Sequence, residues 1–456
     1  MSERAGGLDL DDAARAAVEA AVAAGVDEAD AWCEDSLDRT VRVYDGAVES
    51  VTEAGSKGAG VRVFREGRTG YAYGSDLGEG GLRSLARAAT EAAAVTEADE
   101  YAHIPGDAAS AEVGSLSSPD LGSWTMEQRI ELALAVERAA RNRDRLITNV
   151  EDTVYSDSAS RVALANSKGF TSSYEQTQCY AYAYAFAGEG QDRMTGMGVA
   201  VGRGPDSLDP EAIGQEAADR ALALHGARQS KSRRGAVVLD PYVAASFASI
   251  IGRTLSADAV QRGRSLFADK EGERIADERL RLLDDGTDPE GLGTAPFDGE
   301  GVPQQRTPLI EDGTLHGYLF DAYTASRAKR PSTGNGTRGS YRVPPGVGPT
   351  NLIVEPGEAS MEDLFETADD GLYVMSVSGL HSGVNPASGQ FSVGASGRLI
   401  EGGELGAPAR EVTIASDLVS MLQAVEAAGA EARWVPFGGS VKAPPLLIGE
   451  MTIGGT

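Results

Sequence analysis

The chain has 456 residues, 41% of them apolar, which is ample for a sizeable core and long for a single one. Its 69 acidic side chains against 41 Lys and Arg give a formal net charge of −28, a surface that repels phosphate backbones and anionic lipid and argues against nucleic-acid or membrane partners. The basic side is nearly all arginine, with six lysines, and the acids are spread along the chain. That pattern suits a salty cytoplasm where carboxylate repulsion is screened, although the many Ala, Gly and Arg residues also fit a GC-rich coding sequence.

The acidic N-terminus has no basic stretch ahead of an apolar one and leads into a helix at 9–25 with Ala, Val and Leu at helical spacing, closed by Gly25, so the expected location is cytoplasmic. Two strand-like stretches follow, RTVRVYDGAVESV and KGAGVRVFREGRTGYAYGS, each alternating around a turn built on Asp45-Gly46 or Glu66-Gly67. A helix at GLRSLARAATEAAAV closes this unit. After a Pro/Ser/Gly-rich link at 105–122 the order recurs: a helix at TMEQRIELALAVERAARN, three strands between Thr148 and Glu189, a further strand ending at Val201, and a helix opened by Asp209 with Pro210 in its first turn. Two helix–sheet–helix units, 1–104 and 123–228, make an internal pseudo-repeat. The basic run RQSKSRRG at 228–235 marks a boundary.

One more helix is expected at 240–254, and then glycine and β-formers dominate to the end. The fold class is α+β: an N-terminal domain, 1–228, of helix and antiparallel-sheet units, and a C-terminal domain, 235–456, with a mostly antiparallel, curved sheet. Hairpin turns are expected at EDGT, 311–314, and EGGE, 401–404. The glycine-rich loop 332–351 joins strands and is a candidate functional loop, though not a phosphate loop, since no Gly-Lys-Ser/Thr opens a helix.

Four histidines, His103, His225, His316 and His381, include no pair four apart on a helix, so a site with two imidazoles on one helical face cannot form. Cys33 and Cys179 make no metal spacing and read as reduced core residues. Asp298 and Glu300 share a face if extended, with Arg306 near enough in sequence for an ion pair; a site joining them to His316 and His381 is the remaining route to autonomous chemistry. No G-x-S-x-G elbow and no Cys–His signature points to nucleophilic catalysis.

Taken in order, LLDDGT, PFDGEGVPQQRTPLIEDGTLHGYLFDAYTASR, STGNGTR, NLIVEPG, GVNPASGQFSVGASGRLIEGGEL and APPLLIGEMTIGG, with GAGVRVFREGRTGYAYGSDL upstream, resemble the TldD/PmbA family over nearly the whole chain. The resemblance implies a two-subunit peptidase: a TldD-like chain with a metal on a His-Glu-x-x-x-His helix, and a TldE/PmbA-like chain that pairs with it around a cavity taking extended or unfolded peptides. Here the corresponding helix, within DPYVAASFASIIGRTL, reads Ser249-Ile250-Ile251-Gly252-Arg253-Thr254, with neither histidine nor glutamate. The resemblance therefore implies the non-metal-binding type, with no catalytic or metal residue in this chain, no cofactor of its own and zinc on the partner. Asp298, Glu300, His316, Arg338 and His381 are then candidate peptide or partner contacts. The alternatives are a homodimeric peptide-binding or assembly protein without catalysis, and an autonomous metallohydrolase.

Overall fold

The computed structural model describes residues 8–106, 108–436 and 439–455. The first seven residues, part of the acidic N-terminus read above, lie outside them.

The N-terminal half runs α1 (Leu10–Ala23), β1 (Glu28–Tyr44), β2 (Ala47–Arg65), β3 (Arg68–Gly74), α2 (Glu79–Ala93), a short α3 (Pro119–Ser123), α4 (Met126–Asn142), β4 (Ile147–Asn166), β5 (Thr171–Ala187), β6 (Met194–Gly202) and α5 (Pro210–Ala223). Both helix–strand–helix units are present, and they share one antiparallel sheet of order β3-β2-β1-β4-β5-β6, joined where β1 pairs with β4. The tight turns are as the sequence implies: Asp45 and Gly46 lie at φ 52° and 73°, Glu66 and Gly67 at 51° and 73°, the left-handed pairs whose twist matches the strands they connect. Asp209 caps α5, accepting from the backbone N–H of Glu211 and Ala212. Where three strands are expected at 148–189 there are two long ones. Strand β4 runs unbroken through its Ser-rich middle, where Ser156 is paired on both sides, with Thr40 and Tyr180.

One face of this sheet carries the helices. Small residues let them come close: Ala181, Ala183 and Ala185 of β5 are fully buried in the core shared with α4 and α5. A Cβ on Gly196 or Gly198 would lie 2.2 Å or 2.1 Å from the α5 backbone. Both cysteines are free and buried there, and burial pushes each thiol up to about 12.

The C-terminal half runs β7 (Arg233–Leu239), α6 (Pro241–Thr254), α7 (Ala257–Gln261), β8 (Leu282–Asp285), β9 (Arg306–Glu311), β10 (Thr314–Leu315), α8 (Ala322–Ala328), β11 (Gly336–Thr337), β12 (Gly346–Val347), β13 (Asn351–Val354), α9 (Met361–Ala368), β14 (Gly371–Ser378), α10 (Leu380–Gly383), β15 (Gln390–Glu401), β16 (Glu404–Asp417), α11 (Leu418–Gln423), β17 (Val425–Ala428), β18 (Arg433–Val435), β19 (Ser440–Ala443) and β20 (Leu446–Gly454). One six-stranded sheet has the order β10-β9-β8-β13-β19-β18. The other, β16-β15-β14-β7-β20-β17, curls back on itself because β16 also pairs with β20. Pairing is mostly antiparallel, with β7–β14 and β13–β19 parallel. Helix α6 lies within the main core formed with these sheets, burying Phe247 and Ile251, and is pressed so close that a Cβ on Gly252 would sit 2.2 Å from Leu352.

The 332–351 loop crosses to the N-terminal sheet and fastens to it. Tyr71 Oη donates to the carbonyls of Tyr341 (2.8 Å) and Val343 (3.0 Å), and the Tyr341 N–H donates to Glu34 Oε2 (3.1 Å).

Candidate functional site

Asp298, Glu300 and Arg338 come together, at the seam between the two halves. Asp298 and Glu300 are each 2% exposed. Asp298 Oδ1 accepts from the backbone N–H of Glu300 (2.8 Å) and Val302 (3.0 Å), and Oδ2 from Gly336 (2.8 Å). Burial and then the Glu300 carboxylate push the Asp298 carboxyl up, against those three donors. Glu300 Oε1 accepts from Arg62 Nη1 (2.8 Å) and Oε2 from the Ala322 N–H at the start of α8 (2.7 Å). Arg62, on β2, also grips Asp30 of β1 through Nε (2.7 Å) and Nη2 (2.5 Å). Arg338 completes the ring, donating to the Gly299 carbonyl (2.6 Å) and to Asp30 Oδ1 (2.7 Å). Burial opposes the Arg62 charge, but Asp30 and Glu300 outweigh it and raise the guanidinium above its usual range.

This network differs from the sequence expectation in its cation. Arg306 faces away and pairs with Glu355 at 2.6 Å. Arg62 and Arg338 replace it, from strands and loops far away in sequence, and Arg62 carried a signal only as the polar residue between Val61 and Val63. With every oxygen of Asp298 and Glu300 engaged by protein donors, the pair is built to hold β2, the 332–351 loop and α8 together.

The two histidines have different neighbours. His316 is exposed, 3.5 Å from Glu311. His381, on α10, lines a cavity of about 530 Å³ whose walls come from both halves: Tyr184 and Met197 from the N-terminal sheet, Tyr242 and Ser246 from the first turns of α6, and Met375 from β14.

Below this cavity is a second buried polar cluster. Asp240, 2% exposed, caps α6 by accepting from the Tyr242 N–H (3.1 Å), takes a two-pronged contact from Arg220 (2.8 and 3.2 Å) and accepts from Tyr373 Oη (2.6 Å). Arg220 also donates to the Met375 carbonyl at 2.6 Å. Tyr242 lies between the Arg220 and Arg433 guanidinium groups, 4.8 and 5.0 Å from its ring centre, and its hydroxyl donates to Glu216 Oε1 (3.1 Å), which Arg433 also holds. Burial, and then the Glu216 charge, raise the Tyr242 phenol. The Asp-Pro pair at the start of α6 is a legible cap signal; the arginines that reach it from α5 and β18 are not.

As to metal, the α6 turn from Ser249 to Thr254 offers a hydroxyl at each end and an arginine between, with Ser249 and Thr254 buried. Among the described residues no group of three or more His, Cys, Asp or Glu side chains could hold a metal ion. The residues present do not fit the metal of a His-Glu-x-x-x-His helix, and no step through one is assigned to this chain.

Three sequence models match in order, the PmbA/TldA metallopeptidase domain 1 at 29–93, central domain at 119–224 and C-terminal domain at 232–455. The chain belongs to the PmbA/TldD metallopeptidase family. Among PmbA/TldD relatives it is 28% identical to metalloprotease PmbA of Escherichia coli O157:H7, over 90% of this chain and 88% of that one. It is 27% identical to a metalloprotease TldD homolog of Haemophilus influenzae, over 94% and 93%. The crystal structure of TldE from Thermococcus kodakarensis superimposes with a TM-score of 0.91, at 24% identity over 97% of this chain and all of that one, a likeness of fold. Identity alone does not separate PmbA-like from TldD-like members of the family, since the first two values differ by one percentage point.

Proposed function

We propose that this chain is the TldE/PmbA-type subunit of a cytoplasmic metalloprotease, completing with a TldD-like, zinc-bearing partner a chamber that takes extended or unfolded peptides. The reading is carried by α6, a helix buried in the core whose residues include no histidine and no glutamate, where the family resemblance puts the two imidazoles and the carboxylate of a metal-bearing member. A metal-activated water and its general base then belong to the partner. In support of a chamber role, the 530 Å³ cavity is lined by both halves and adjoins the capped start of α6. No helix among the described residues is long and apolar enough to cross a membrane.

The test is peptide hydrolysis by the purified chain, alone and mixed with a TldD-like chain from the same source. Turnover by the mixture and none by either chain alone is expected; turnover by this chain alone overturns the assignment. An inert mixture that still binds peptide favours a homodimeric peptide holder.

A further inference from the structure

The 530 Å³ cavity has one wall unlike the others. Most of its lining sits on β5, β6, α5 with its C-cap, α6, β14 and β18, whereas Leu380 and His381 come from the connection between β14 and β15, residues 379–389, whose regular structure is the four-residue α10. The same connection continues along a second cavity of about 890 Å³, which Ser382, Val384 and Asn385 line together with Gln390 and Ser392 of β15. Residues 379–389 therefore stand against both spaces.

Little ties this segment to the body of the protein. Its backbone bonds close on itself or on the first residue of β15: the Ser382 and Gly383 N–H groups donate to the Gly379 carbonyl (3.1 and 2.7 Å), Gly389 donates to Asn385 (2.8 Å) and Asn385 to Gln390 (2.9 Å). Asn385 Oδ1 accepts from the N–H groups of Ala387 (3.0 Å) and Ser388 (3.2 Å). The bond from elsewhere is at one end, where the Leu418 N–H donates to the Gly389 carbonyl (2.9 Å). Both ends are glycines in the left-handed region, Gly379 at φ 77° and Gly389 at φ 75°, where backbone rotation carries no Cβ with it. His381, Ser382 and residues 385–388 are exposed, and Leu380 and Val384 are partly buried against the main core. Two apolar side chains thus hold the segment down, and a segment with so few ties beyond its own turns opens more readily than the sheets around it.

We infer that residues 379–389 are a gate to the 530 Å³ cavity, hinged at Gly379 and Gly389 and latched by Leu380 and Val384, which opens toward the 890 Å³ space and gives entry from that side. Swinging it out lifts Leu380 and His381 off the cavity and leaves β14, α5 and α6 in place. The inference depends neither on the identity of the occupant nor on which subunit holds a metal.

The test places a thiol behind the gate, in the full-length chain and without peptide or metal. Met375, 6% exposed on the cavity wall, is replaced by cysteine, and its modification by a small maleimide is followed by peptide mass spectrometry; Cys33, fully buried far from the cavity, reports global unfolding in the same samples. Val384 and Phe391 face each other across an antiparallel bridge, so Val384→Cys with Phe391→Cys forms a disulfide that pins the segment to β15. Labelling of residue 375 is expected to be about tenfold slower with the pin oxidised than with it reduced, and Leu380→Ala, which removes half the latch, should speed it about threefold with Cys33 unchanged. Because Phe391 is itself buried, urea unfolding checks the pinned chain, and should it not fold or not oxidise, Leu380→Ala decides. Equal rates with the pin open and closed, no response to Leu380→Ala, or Cys33 rising in step with residue 375 overturns the gate and leaves the subunit assignment untouched.

Discussion

Replacing Arg62 with methionine keeps a long side chain at the seam and deletes its charge. The guanidinium, 8% exposed, bonds two carboxylates that are themselves 0% and 2% exposed, Asp30 and Glu300. Removing one partner of such a buried pair leaves an uncompensated charge and costs about 3–5 kcal/mol. Asp30 keeps Arg338 at 2.7 Å and Glu300 keeps the Ala322 N–H at 2.7 Å, so both retain one donor, which places the expected loss toward the lower end of that range. Urea denaturation in concentrated KCl, followed by tryptophan fluorescence, measures it, since Trp32 lies under Arg338 with its ring centre 5.5 Å from the guanidinium carbon. Adding Glu300→Gln should recover part of the loss, because the second change removes the stranded charge. A loss below about 1 kcal/mol for Arg62→Met would mean that the seam is not held by this network.

Three further outcomes follow from the same geometry. Burial, opposed by hydrogen bonds from Thr350 and Asn335, raises Asp284 from 3.8 to about 6, so the stability it contributes is full below 3.8 and is lost as pH rises through 6. The stability of the parent relative to Asp284→Asn should therefore fall by about 2 kcal/mol between pH 4 and pH 7, and a pH-independent difference in urea midpoints would contradict this. Asp240→Ala removes the α6 cap and leaves Arg220 buried without its carboxylate, so a loss of about 3–5 kcal/mol is expected in the same assay, against under 1 for the exposed Asp258→Ala. Gly198→Ala would put a Cβ 2.1 Å from the Ile213 carbonyl, and moving α5 off the sheet should cost about 1–3 kcal/mol; an unchanged midpoint would show that the helix is not seated as closely as described.

The local features were legible and the long-range ones were not. Hairpin turns, the Asp209 cap and helix α6 follow from signals a few residues long: a left-handed Asp-Gly pair, an Asp-Pro start, apolar residues at helical spacing. The β1–β4 pairing that joins the two N-terminal units links Asp30 to Asn166, and nothing local specifies it. For the same reason Arg306 was the nearest cation in sequence to Asp298 and Glu300, while Arg62, 238 positions from Glu300, is the one that binds it. The site was legible chiefly as an absence of residue types on α6; the cavity beside it, with Arg220, Tyr242 and Arg433 stacked together, depends on three elements meeting and left only the Asp240-Pro241 cap as a trace.

The central claim is that this chain carries no metal site of its own, and the most direct measurement is its zinc content after expression and purification alone, in high salt and without chelator, by elemental mass spectrometry. Zinc well below one equivalent per chain is expected, with the metal found on a TldD-like partner once the two are combined. About one tightly held equivalent in the isolated chain would contradict the account and turn attention to ligands on this chain.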